Sequence, residues 1–129
     1  MPKPKKSAAE LDGLFRALAD QTRLRLINLM ADQELCVCFF VEVIGSPQPK
    51  ISRHLAYLRR AGIVAARREG KWMHYRLIHP RNADAAEILR TTIESLKRNP
   101  EMQKDLRRLD RACCGPESLV QLLGAPLPA

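Results

Sequence analysis

Apolar residues recur along this chain with a period near 3.6 over most of its length and near 2 over one short stretch, which predicts helices with a small β-hairpin. Leu11, Leu14, Phe15 and Leu18 fall at i, i+3, i+4 and i+7, and Ser7-Ala8-Ala9-Glu10 ahead of them reads as the capping box of a first amphipathic helix. Asp20 suits the N-cap of a second helix running to about Ala31, with Leu24, Ile27 and Met30 inside and Arg23 and Arg25 turned toward solvent or a partner. A third, short helix is expected over 35–44 and stopped by Gly45. Ser46 then caps a fourth helix, with Pro47 in the first turn, where a missing N–H breaks no helical bond. In it Ile51, Leu55 and Leu58 share the inner face, while Lys50, Ser52, Arg53, Tyr57 and Arg60 occupy the others.

From Ile63 the pattern shortens to strands over 63–68 and 71–78 around a turn at Glu69-Gly70. Met73, Tyr75 and Leu77 alternate with Trp72, His74 and Arg76, so one face packs while the other meets solvent or a nucleic acid. A short helix, a glycine turn, a second helix with a basic outer face and a hairpin together make a winged helix-turn-helix, whose second helix lies in the major groove. After Pro80 the helical period returns through Ala85, Ile88, Leu89, Thr92 and Leu96, breaks at Asn99-Pro100, and resumes over 101–111 with Met102, Leu106 and Leu109. These stripes exceed what a small winged core needs, so a homodimer formed through the first and the C-terminal helices is expected. One further turn is expected around Ser118 to Leu123. The predicted architecture is mainly α, ordered α-α-α-α-β-β-α-α: a flexible basic tail over 1–6, a dimeric DNA-binding domain over 7–111, and a Cys-Cys segment with a Pro-rich tail over 112–129.

Composition narrows the class. A chain of 129 residues with 46% hydrophobic content is sized for one domain with its own core. Its net charge of +8 is confined to one region: between Gln48 and Arg81 stand Lys50, Arg53, Arg59, Arg60, Arg67, Arg68, Lys71, Arg76 and Arg81 against the single acid Glu69. A charge excess limited to one helix and one hairpin is the electrostatic footprint expected for phosphates. No apolar run approaches the roughly 18 residues that span a bilayer, and the basic start leads into no hydrophobic signal region, so a cytoplasmic protein without a membrane partner is expected. In that reducing compartment four cysteines read as ligands, sensors or small buried residues rather than disulfides.

The cysteines supply the candidate chemistry. Glu34-Leu35-Cys36-Val37-Cys38 stands just upstream of the expected reading helix, so a thiol site and a DNA site share one motif. Together with Gln48-Pro49-Lys50-Ile51-Ser52-Arg53-His54-Leu55-Ala56-Tyr57-Leu58-Arg59-Arg60-Ala61-Gly62-Ile63-Val64 and Gly70-Lys71-Trp72-Met73-His74-Tyr75-Arg76-Leu77, this segment resembles the ArsR/SmtB family, and within it the arsenic-responsive repressors. The resemblance covers roughly Leu11 to Leu96 and implies a homodimeric winged-helix repressor that leaves its operator when a metal or metalloid binds. Arsenical members carry a third cysteine three residues after the second, where this chain has Val41. The resemblance therefore implies a ligand set drawn from Cys36, Cys38, Cys113 and Cys114, with the C-terminal pair as the remaining source of sulfur.

As(III), with Sb(III) as the close alternative, suits three thiolates because soft ligands match a soft thiophilic centre. Four thiolates also suit Cd(II), Pb(II) or Zn(II), and a thiol-redox-sensing repressor is a further alternative. On a regular helix Cys36 and Cys38 stand about 200° apart, so joint binding is expected to unwind the start of the third helix and to pass strain through Gly45 to the reading helix. If only one of them binds, Cys113 and Cys114 would instead draw the C-terminal segment onto the DNA-binding core. His54, His74 and His79 read as recognition-helix, wing and helix-entry residues rather than ligands. A thiol enzyme or arsenate reductase is disfavoured because the chain lacks Cys-x-x-Cys, a phosphate-cradling loop and an evident general base. For double-stranded operator DNA, Gln48, Lys50, Ser52 and Arg53 are the expected base readers with His54 and Tyr57 at their edge, and Arg67, Arg68, Lys71 and Arg76 the wing's phosphate or minor-groove contacts.

Overall fold

The computed structural model describes residues 2–114 and 118–128. Helices α1 (Pro2–Leu18) and α2 (Gln21–Leu29) lead to a two-residue strand β1 (Leu35–Cys36), then to α3 (Val37–Ile44) and α4 (Gln48–Arg60). The hairpin β2 (Val64–Glu69) and β3 (Trp72–Leu77) follows, and α5 (Ala83–Lys97), α6 (Pro100–Cys114) and the short α7 (Leu119–Leu123) complete the described chain. The sheet has the order β1-β3-β2 and is antiparallel throughout. This is a winged helix-turn-helix, with β1 as an additional strand on the outer edge of the wing hairpin. Among the described residues no helix is long and apolar enough to cross a membrane.

Local chemistry explains most boundaries. Asp20 accepts the Arg23 N–H at 3.0 Å and starts α2. Asn82 accepts the N–H groups of Asp84 and Ala85 and starts α5, and Asn99 does the same for Glu101 and Met102 at α6, where Pro100 occupies the first turn. Gly45 ends α3 with φ 79°, a left-handed conformation that any side chain would strain, and its N–H returns to Val41 O at 2.9 Å. Helix α4 begins differently from the sequence expectation: Pro47, not Ser46, is the N-cap, and its carbonyl accepts from both Lys50 and Ile51. The wing turn is Gly70-Lys71 rather than Glu69-Gly70, because Glu69 pairs with Trp72 and only Gly70 has positive φ. Helix α1 starts at Pro2, ahead of the expected cap at Ser7.

The core lies where α2, α3, α4 and the wing converge. Leu26, Ile27, Phe39, Phe40, Ile51, Leu55, Leu58 and Ile63 are fully buried, which bears out the inner face read for α4. Phe15 instead points outward at 54% exposure, and Leu14 and Ala17 carry the buried side of α1. Helix α6 packs across α2 and α3. Its inner face buries Met102 and Leu109 together with Asp105, an acid in an apolar stripe. Arg25 answers it with a bidentate pair at 2.7 and 2.9 Å, and Asn28 Nδ2 donates to Met102 O at 3.0 Å. Arg25 thus faces inward, as does Arg23, which donates to the carbonyls of Arg16 and Ala17 at 2.8 Å each. Solvent or a partner is the expectation for these cations, and both meet a partner, because α2 is covered by α1, α4 and α6.

Candidate ligand site and nucleic-acid interface

Leu35 and Cys36 were expected inside the third helix, but they are extended and pair with Tyr75 and His74 of β3. Cys36 has φ −67° and ψ 147° and serves as the N-cap of α3, so Cys38 lies in the first turn and Cys36 just outside it. The 200° separation of a continuous helix does not apply. The two Sγ atoms stand 3.0 Å apart, with the Cys38 thiol donating to Cys36. No unwinding is needed for both sulfurs to face one small centre, which corrects the strain mechanism expected from the sequence.

Electrostatics favour one negative charge on this pair. Donation from the Cys38 thiol, joined by the N–H groups of Cys38 and Val37 at the helix start, holds the Cys36 thiol down to about 7 against the opposing effect of burial. Cys38 is pushed upward, first because the hydrogen bond it donates to Cys36 holds its proton in place and further by burial and by the neighbouring charge. The pair therefore presents one thiolate readily and a second only when something replaces the shared proton. A thiophilic cation does so.

Cys113 is half-buried in the last turn of α6, which packs against α3. Among the described residues no three His, Cys, Asp or Glu side chains cluster closely enough to hold a metal ion, so the structure does not bring Cys113 to Cys36 and Cys38. The Cys114 side chain lies outside the described residues. Among the described residues the geometry brings together two sulfurs of the three that the sequence leads us to expect for As(III), a partial fit.

The thiol pair borders a charged cluster on the wing. Glu34, with 11% of its side chain exposed, accepts from Arg67 Nε at 2.9 and 3.1 Å and from Nη2 at 2.7 Å. Arg76 Nη1 and His74 Nδ1 each stand 4.0 Å from the same carboxylate. Arg67 hydrogen bonds hold the Glu34 carboxyl below its ordinary value. His74, expected on the outer face of β3, is buried, with Cys36 of β1 as its lateral partner and Glu34 4.0 Å away, and its Nε2 has no hydrogen-bond partner.

On α4, Gln48, Lys50 and Arg53 are exposed and Ser52 is half-buried, so all four remain open to a groove. His54 and Tyr57 face α2 instead. His54 Nδ1 lies 3.4 Å from Arg23 Nη1 and 3.9 Å from Asp20, and the Arg23 guanidinium stacks 4.2 Å above the Tyr57 ring. Both residues tie α4 to α2. On the wing, Arg68, Lys71 and Arg76 are exposed, whereas Arg67 is exposed yet tied to Glu34 and Glu69. Sequence reasoning missed Glu34 as a partner and the Arg25–Asp105 pair. The second had a visible sign, since Asp105 interrupts the Met102–Leu109 stripe and an acid there requires a cation.

Comparison with known proteins places this geometry. The family model described as "Bacterial regulatory protein, arsR family" matches residues 20–66, from the cap of α2 into β2. The arsenical resistance operon repressor of Escherichia coli is 42% identical over 106 residues, covering 81% of this chain and 89% of that protein. An arsenic resistance transcriptional regulator of Pseudomonas putida is 54% identical over 68 residues, or 52% of each chain. Among solved structures, the transcriptional repressor BigR from Xylella fastidiosa superposes with a TM-score of 0.57 at 32% identity, covering 72% of this chain and 92% of that one. The antimony-specific transcriptional repressor AntR gives 0.56 at 30% identity, covering 70% of this chain and 79% of that one.

Proposed function

The chain belongs to the arsR family of bacterial regulatory proteins, and on that premise we propose that it is a cytoplasmic, homodimeric operator-binding repressor that releases DNA when cysteine thiolates capture As(III). It is a DNA-binding transcriptional regulator and not an enzyme. The observation that carries the arsenic reading is the thiol pair 3.0 Å apart, one helix ahead of the reading helix. A soft centre that prefers sulfur finds two donors already converged and one already inclined to ionise. In this reading Cys113 or Cys114 supplies the third sulfur from the end of α6. Sb(III), with the same lone-pair geometry, is the nearest competitor, and the likeness to an antimony-specific repressor supports retaining it.

The DNA half assigns base reading to Gln48, Lys50, Ser52 and Arg53, phosphate contact to Arg68, Lys71 and Arg76, and support of α4 to His54 and Tyr57. Dimerisation is assigned to α1 and the C-terminal helices, where Phe15 is left exposed in the single chain.

Sulfur coordination of the reduced protein with As(III), measured by X-ray absorption, tests the reading in the parent and in Cys113→Ser/Cys114→Ser. Three As–S bonds in the parent falling to two in the variant are expected. Arsenic that binds no sulfur in the parent would overturn the arsenic assignment and direct attention to Cd(II), Zn(II), Pb(II) or thiol oxidation. Loss of operator binding on adding As(III), read by fluorescence anisotropy and absent in Cys36→Ser, completes the test.

A further inference from the structure

Cys36 and His74 are register partners across β1 and β3, and Arg67 is the partner of His74 across β3 and β2. In an antiparallel sheet partners share a face, and residues two apart on a strand share it too. Cys36 therefore stands on the face that carries His74, Arg67 and Arg76, and Glu34, immediately before β1, reaches that face through its contacts with all three. The Glu34–Arg67 pair crosses above His74 and links the segment holding the thiol to the far strand of the wing, at 2.7 Å. Main-chain pairing of β1 amounts to two residues, too short to hold the edge strand firmly alone.

We propose that Glu34 is the positioning residue through which occupancy of the Cys36–Cys38 pair reaches the wing. Beneath the brace, His74 is 3% exposed with an unpartnered Nε2 lying 3.8 Å from Glu69. A buried group without a partner is not at its best arrangement, so a small displacement of its neighbours that provides one is favoured. Cys36 is fixed to β1, and a ligand that replaces the shared proton resets the distance from Cys36 to Cys38. Glu34, two residues upstream, moves with the strand and loosens its hold on Arg67. The hairpin carrying Arg68 and Lys71 then loses the anchor that sets its pose. Signal transfer runs sideways through the sheet to the wing, in addition to any path through Gly45 to the reading helix. This inference deepens the repressor reading and rests on the thiol pair being its ligand site.

Trp72, the chain's single tryptophan, lies on β3 next to the wing turn and reports on the wing directly. The experiment titrates full-length reduced protein with arsenite, following thiol occupancy by sulfur-to-arsenic absorbance and Trp72 emission in parallel, with Cys36→Ser/Cys38→Ser as the blank. The parent is expected to shift its emission in step with occupancy. In Glu34→Gln the same arsenite is bound, the emission change shrinks at least fivefold, and the ratio of operator affinities without and with arsenite falls toward one. Equal emission changes in parent and variant, or none in the parent with its thiols occupied, overturn the proposal. If Glu34→Gln fails to fold by circular dichroism, Arg67→Lys replaces it with the same expectation, since lysine keeps the charge but not the two-pronged contact. Should arsenite leave the parent thiols unoccupied, the arsenic reading fails by itself. Methyl methanethiosulfonate, which caps Cys36 and Cys38 whatever their natural ligand, then decides the brace by the same emission comparison.

Discussion

Replacing Cys38 with alanine should raise the ionisation midpoint of Cys36 from about 7 to at least its ordinary 9.0. The largest cause of the low value is the 3.0 Å bond donated by Cys38, and alanine removes it. The N–H groups of Val37 and Cys38 survive the substitution, but burial opposes them, and Cys36 is 1% exposed. A two-unit rise corresponds to about 3 kcal/mol between the two protonation states. It lowers the thiolate fraction at neutral pH from about half to roughly one part in a hundred. Ultraviolet absorbance of thiolate, titrated from pH 5 to 11 in a Cys113→Ser/Cys114→Ser background, isolates the two remaining thiols. The parent of that background should show one step near 7 and no second step up to pH 11, and Cys38→Ala a single step at or above 9.0. A Cys36 midpoint that stays near 7 in Cys38→Ala would refute the shared-proton account and assign the low value to the helix start.

Other consequences are equally direct. Arg25→Ala leaves the buried Asp105 carboxylate with Arg108 Nη1, 3.7 Å away, as its remaining cation and should cost about 3 kcal/mol in urea unfolding, at the lower edge for broken buried pairs because Arg108 stays and Arg25 keeps 26% exposure; a loss under about half a kilocalorie would show that the pair does not hold α6. Lys71→Ala should weaken operator and random DNA alike and reduce the salt dependence of binding by about one ion, whereas Lys50→Ala should weaken the operator more than random DNA. The Glu34 carboxyl is held low when folded, so its stabilisation is complete above the unfolded value of 4.5 and vanishes as pH falls through the lower folded value. Arg67→Met removes the cause and should move the acid-unfolding midpoint, followed by circular dichroism, to higher pH.

The sequence revealed those parts of the molecule whose causes are local. The inner face of α4, the stop at Gly45, the Asp20 cap and the β2–β3 hairpin each depend on residues within a few positions of one another. The strand character of Leu35-Cys36 does not, because its cause is β3, about forty residues later. Read from its own neighbours the segment looks like a helix start, and the thiol geometry inherited that error. The links Glu34–Arg67 and Arg25–Asp105, 33 and 80 residues apart, likewise join residues that no local window holds together, although Asp105 in its apolar stripe already called for some cation. A charge census alone counted Arg67 among the DNA cations without the carboxylate it meets.

The Arg25–Asp105 clasp bears on the search volume of the C-terminal cysteines. A sulfur on an unstructured tail wanders through a large volume and dilutes itself to a low local concentration, whereas a sulfur at the end of a docked helix is confined to a small arc. Because α6 is pinned to α2 near its start and lies along α3, the chain has met most of the ordering cost before any ligand arrives. If the third donor is Cys113 or Cys114, as proposed, it is a tethered reactant presented at high effective molarity. Capture strength should then depend on a pair of side chains that carries no sulfur at all.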